Sequence, residues 1–121
     1  HEQIATMTYS PLGAGFLSGK YKPTEERHCF PKGTRFDIAP THADIYFNDR
    51  NFGILNQLRQ KANELGEPMV YLAMAWVLGN PDLTTVLVGA RNTEHIDNAV
   101  RARDEGISKA LRNEMSAWGV D

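Results

Sequence analysis

The chain has 121 residues, of which 41% are hydrophobic and 23% charged, with a formal net charge of −2; this is the composition of one globular domain with a core. The near-neutral balance carries no footprint for nucleic acid or a membrane surface, and the longest nearly apolar stretch, residues 70–79, is too short to span a bilayer. With a single cysteine, Cys29, no internal disulfide can form, which fits a reducing, cytoplasmic setting and makes that loop thiol incidental rather than catalytic.

Residues 4–9 read as a short, buried, parallel-type strand. The chain begins at His1 and enters this strand almost at once, with no secretory signal before it; it reads as part of a longer protein. A loop follows, Tyr9-Ser10-Pro11-Leu12-Gly13-Ala14-Gly15-Phe16-Leu17-Ser18-Gly19-Lys20-Tyr21, whose small residues let backbone N–H groups come close to a ligand. Residues 22–48 are punctuated by Pro23, Pro31, Gly33 and Pro40 and are expected to form a long loop, functional or mobile. Phe52, Leu55, Leu58, Ala62 and Leu65 recur every three or four residues and predict an amphipathic helix over 49–65, stopped by Gly66.

Pro68 can open a second helix to about Leu78, apolar enough to be buried on most sides. Asn80-Pro81-Asp82 signals a turn, and Thr85-Val86-Leu87-Val88 reads as a second buried strand ended by Gly89. Asn92 or Thr93 can cap a helix to about Ala102. Ser108 can cap a last one, with Leu111, Met115 and Trp118 inward. The order is that of a parallel α/β fold. Two strands alone cannot bury both faces of a sheet, so the chain is expected to be part of a larger barrel or sheet; by itself it would tend to self-associate through its unpaired edges or keep a partly disordered loop at 22–48.

Two glycine-bearing loops thus each follow a strand. The second, Gly89-Ala90-Arg91-Asn92-Thr93-Glu94-His95, opens a helix, whose N-terminus offers free N–H donors and the positive end of a dipole. Arg91 is a basic group where a helix start disfavours one; a bound phosphate removes that conflict, because a guanidinium fork matches its oxygens. Two familiar phosphate patterns fail. A Walker loop ending at Gly19-Lys20 meets Ala14 and Tyr21 where Gly and Ser or Thr are needed. A dinucleotide fingerprint from Gly13-Ala14-Gly15 meets Ser18.

Four segments in order carry a family resemblance. Tyr9-Ser10-Pro11-Leu12-Gly13 with Ser18-Gly19-Lys20-Tyr21, then Gly33-Thr34-Arg35, then Leu72-Ala73-Met74-Ala75-Trp76-Val77-Leu78, then Val88-Gly89-Ala90-Arg91 with Glu94-His95, together resemble the end of the aldo-keto reductase barrel. Their style is closer to bacterial reductases and the potassium-channel β-subunit branch than to the aldose-reductase branch. The resemblance implies an α/β fold, the C-terminal portion of a (β/α)8 TIM barrel. Residues 1–121 would be one incomplete piece of a single barrel domain, about strands seven and eight with their helices.

It also implies NADP(H) as cofactor and a small-molecule carbonyl or alcohol as substrate. Tyr9 would stack on the nicotinamide. Ser10, Pro11, Leu12, Gly13 and Ala14 would line the pyrophosphate path, with Lys20 and Arg35 adding positive charge. Gly89, Arg91 and His95 would surround the adenosine 2′-phosphate and adenine. The family usually has Gln at His95 and Glu-Asn at Asn98-Ala99, so Asn98 would have to supply the adenine contact that Ala99 cannot. None of the family's catalytic tetrad of Asp, Tyr, Lys and His maps onto this chain, so no catalytic residue is assigned, and the isolated chain is expected to be inactive. The alternative implied by the same resemblance is a nucleotide-sensing regulatory subunit of the channel β-subunit type. A plain α/β domain without cofactor is the third reading. In it Tyr9 is a packed strand-end aromatic, Lys20 and Arg35 are solvated loop charges, and His95 is a helix-surface residue. Asp37, Asp44 and Asp49 read as solvated loop carboxylates. His1, His28 and His42 show no metal spacing.

Overall fold

The computed structural model describes residues 4–23 and 29–120. Two strands, β1 (Met7–Tyr9) and β2 (Thr85–Leu87), pair side by side in parallel with Met7 opposite Thr85, Thr8 opposite Val86 and Tyr9 opposite Leu87. Among the described residues six α-helices accompany them: α1 (Arg35–Ile38), α2 (Ala43–Tyr46), α3 (Asp49–Leu65), α4 (Met69–Leu78), α5 (Thr93–Glu105) and α6 (Lys109–Ala117). The architecture is a partial α/β fold, rich in helix.

The long helices start where local chemistry says they should. Asn48, Asn92 and Ser108 each accept a backbone N–H three residues on, from Asn51, His95 and Leu111, and so cap α3, α5 and α6. Gly66 ends α3 in the left-handed region at φ 66°, its N–H returned to Ala62 and Asn63 carbonyls. α5 runs three residues beyond the predicted end at Ala102; Arg101 bonds to Glu105 at 3.0 Å and supports that extra turn.

Two apolar clusters fill the interior. The larger joins Leu58 and Ala62 of α3, the run Tyr71–Ala75 of α4, Ala102 of α5 and Met115 of α6, with Leu111 and Trp118 packed against it as expected. α4 is buried on most sides, as expected, with Trp76 turned outward and donating Nε1–H to Ser116 Oγ at 2.9 Å. The smaller cluster is aromatic. Phe16, Tyr21, Phe36 and Phe52 are buried, with Phe30, Tyr46 and Phe47 against them in mostly edge-on ring contacts such as Tyr21–Phe36 at 4.8 Å. It draws in residues 29–48, which are therefore packed and partly helical, with α1, α2 and a 3₁₀ turn at Pro40–His42 between them. The aromatic rings that order this stretch follow no helical or strand period, so the pattern of prolines and glycines hid them. Residues 24–28 of the predicted loop lie outside the described residues.

The strands correct two expectations. They are shorter than 4–9 and 85–88, and they are not buried. Met7 is 64% exposed, Tyr9 79% and Leu87 53%. Thr8 and Val86, paired in register, are the half-buried positions of the opposite face. The apolar strand sequences match a two-sided burial that the described residues supply on one side only.

Candidate functional site

Because β1 and β2 are neighbours and parallel, their C-terminal ends lie at one edge, and the two glycine-bearing loops leave the sheet there together. Tyr9, the last residue of β1, stands beside Leu87 with its ring open to solvent. The next residues turn sharply. Ser10 and Ala14 hold φ values of 55° and 56°, in the left-handed region that side chains other than glycine's rarely occupy, alongside Gly13 at 55° and Gly15 at 90°. Such strained backbone persists where the surroundings enforce it and concentrates at functional sites. Here the enforcement is visible. Gly13 N–H donates to the Ser10 carbonyl at 2.9 Å, Gly15 N–H to Leu12 at 3.0 Å and Phe16 N–H to Gly13 at 3.0 Å. Leu12 packs on the larger cluster and Ala14 on the aromatic one, so this loop is pinned between the two cores. Pro11 is half-buried in it and Ser10 is exposed.

The glycines divide into two kinds. A Cβ on Gly13 would lie 2.9 Å from Tyr46 Cε1, and one on Gly19 would lie 2.6 Å from Met69 Sδ. Their missing side chains make room for the protein's own ring and thioether, a packing role that the sequence did not show. Gly89 has nothing within 4 Å of its Cβ position and is exposed, so the second loop is the one whose backbone is open to a ligand. Lys20 folds back toward Gly15, its Nζ 3.5 Å from that glycine's Cβ position and 5.2 Å from the Tyr21 ring centroid.

At the second loop Asn92 Oδ1 accepts the His95 N–H at 3.1 Å, and His95 Nδ1 accepts the Arg91 N–H at 3.4 Å. Arg91 reaches across the chain: its Nη1 donates to the Gly33 carbonyl at 3.2 Å, a contact between residues 58 apart. This places Gly33-Thr34-Arg35, and with it Arg35 at the start of α1, beside the second loop. Gly33 is itself held, its N–H donating to Asp37 Oδ2 at 2.8 Å while Thr34 Oγ1 donates to the Pro31 carbonyl at 2.7 Å. Asn98 is half-buried one turn into α5, and Ala99 packs against the larger cluster. Sequence reasoning missed Tyr46 and Asp37. Asp37 gave a local signal, standing at the third position of a helix that Thr34 opens. Tyr46 gave none.

A comparison with family models matches residues 1–117 to the aldo/keto reductase family. The chain belongs to the aldo/keto reductase family. It is 31% identical over 108 residues to a probable voltage-gated potassium channel subunit beta of Arabidopsis thaliana, covering 84% of this chain and 30% of that protein. It is 28% identical over 102 residues to L-glyceraldehyde 3-phosphate reductase of Escherichia coli O157:H7, covering 82% and 28%. It is 26% identical over 112 residues to aldo-keto reductase yakc [NADP(+)] of Schizosaccharomyces pombe, covering 93% and 32%. The chain therefore spans about three-tenths of the length of these aldo/keto reductase relatives, two of which are named as reductases. Among the described residues no three His, Cys, Asp or Glu side chains are grouped to hold a metal, and no helix is long and apolar enough to cross a membrane.

Proposed function

We propose that this chain is the cofactor-binding C-terminal part of an NADP(H)-dependent aldo-keto reductase, corresponding to strands seven and eight of a (β/α)8 barrel with their helices. The observation that carries the reading is the parallel pairing of Tyr9 with Leu87, which brings two sequence-distant ligand loops to one edge, the edge at which such barrels bind ligands. The residues present fit a phosphate-bearing nucleotide: Gly89 is open, and Arg91 spends one of its five N–H donors on Gly33 and keeps the rest of its fork. The cofactor, when bound, supplies the hydride exchanged with a carbonyl or alcohol. In this reading Tyr9 offers its exposed ring to the nicotinamide and the strained Ser10–Ala14 turn borders the pyrophosphate. Lys20 and Arg35 contribute positive charge, and Arg91, His95 and Asn98 meet the adenosine end. The proton-transferring groups would come from outside these 121 residues, so this segment binds and orients while the intact protein reacts, in the cytoplasm, on a small carbonyl substrate.

The test is nucleotide binding by the intact protein that carries this chain, followed by cofactor fluorescence. NADPH is expected to bind more tightly than NADH, and Arg91→Ala to weaken NADPH by about tenfold, as loss of a charge-assisted contact does. Absence of binding overturns the proposal. The similarity to the Arabidopsis channel subunit supports a second reading, a nucleotide-sensing regulatory subunit. Robust carbonyl reduction by the intact protein favours the enzyme, and tight nucleotide binding without turnover favours the subunit.

A further inference from the structure

We infer that Asp37 is a positioning residue for Arg91, acting through the orientation of Gly33, and that it thereby tunes discrimination between nucleotides with and without a 2′-phosphate. The inference rests on the proposed role of Arg91. Its physical basis is a relay of two hydrogen bonds through one residue. Asp37 Oδ2 accepts the Gly33 N–H at 2.8 Å, and the Gly33 carbonyl accepts Arg91 Nη1 at 3.2 Å. Gly33 sits at φ 75°, a conformation open to glycine at little cost, with nothing near its Cβ position. No side-chain packing sets the direction of this residue, so its hydrogen bonds do. The turn is closed by Thr34, whose N–H and Oγ1 both donate to the Pro31 carbonyl, at 3.2 and 2.7 Å.

A free arginine side chain loses substantial rotamer entropy when it is pinned on a ligand. An arginine already held by one Nη presents the remainder of its fork at less entropic cost, and its planar guanidinium keeps that orientation. The N–H and the carbonyl of Gly33 belong to successive peptide units, so the carboxylate acts by geometry: it fixes the orientation of Gly33 and with it the direction of the carbonyl that holds Arg91. The sequence reading put Asp37 among solvated carboxylates; its exposure fits that, and its bond to Gly33 gives it a second task.

The experiment compares dissociation constants for NADPH and NADH in the intact protein carrying this chain, for the wild type, Asp37→Ala, Asp37→Asn, Arg91→Ala and the Asp37→Ala/Arg91→Ala pair. Asp37→Ala is expected to lower the preference for NADPH about three- to tenfold, the size of one lost hydrogen bond, with NADH affinity unchanged. Asp37→Asn, which keeps an acceptor for Gly33 N–H, is expected to retain the preference. In the Arg91→Ala background, Asp37→Ala is expected to change nothing further. An equal loss for both nucleotides, or a loss of preference that persists without Arg91, overturns the positioning role and leaves Asp37 as a structural cap. Failure of the wild type to bind either nucleotide overturns the function proposed above instead, so the two failures are distinguishable.

Discussion

The Tyr46 ring occupies the place of the side chain that Gly13 lacks: a Cβ there would stand 2.9 Å from Tyr46 Cε1. This contact ties the strained turn after β1 to the aromatic cluster, in which Tyr46 stacks on Phe16 with ring centroids 6.0 Å apart. Gly13→Ala therefore meets both a positive φ of 55° and a blocked position. It is expected to cost about 2 kcal/mol, read by urea denaturation. Tyr46→Leu in the same chain should return part of that loss. A Gly13→Ala variant as stable as the wild type would show that neither the positive φ nor the ring contact constrains this position.

Leu72 is 1% exposed in the larger cluster, and Leu72→Ala is expected to cost about 3 kcal/mol through transfer and cavity terms. Leu87 is the informative comparison, since it is 53% exposed beside Tyr9. A barrel in the intact protein would cover that face, and Leu87→Ala should then cost about as much as a core truncation. A cost within about 0.5 kcal/mol, that of a surface change, would count against the barrel.

Arg101 holds Glu67 through both Nη atoms at 2.8 Å, reaches Glu105 at 3.0 Å and lies over the Tyr71 ring at 4.2 Å. Tyr71 in turn donates to the Gly106 carbonyl at 2.6 Å. The hydrogen bonds from Arg101 hold the Glu67 carboxyl below its usual value of 4.5. A carboxyl so depressed contributes stability above its unfolded value and loses it as pH falls through the folded one. The thermal midpoint of the wild type should therefore exceed that of Glu67→Gln at pH 7, and the gap should close as pH falls below 4.5. A gap independent of pH would show that the pair contributes nothing through charge.

Asn92 and Ser108 perform the same capping task on α5 and α6, and each is expected to cost about 1 kcal/mol when replaced by alanine. They differ in place. Asn92→Ala also frees His95, whose Nδ1 holds the Arg91 N–H, so it should weaken NADPH binding by the intact protein, and Ser108→Ala should not. Equal effects on binding would detach the α5 start from the site.

Much of the helical layer was legible residue by residue. The spacing of Phe52, Leu55, Leu58 and Ala62, with Gly66 behind them, foretold α3 with its observed bounds, and Ser108 foretold α6. The order of elements pointed to parallel strands, and the motifs on either side of them pointed to the family that the comparison finds. These features are local: a period, a cap and a glycine stop express themselves within one or two turns of the chain. What only the tertiary structure decided is which distant groups meet. Tyr46 fills the space beside Gly13, Met69 fills that beside Gly19, and Arg91 reaches the Gly33 carbonyl that Asp37 steadies. Aromatic packing orders residues 29–48 despite their prolines, and the strands predicted as buried keep one face open. Such contacts depend on how separate elements dock, and their side chains carry no period along the chain from which docking could be read.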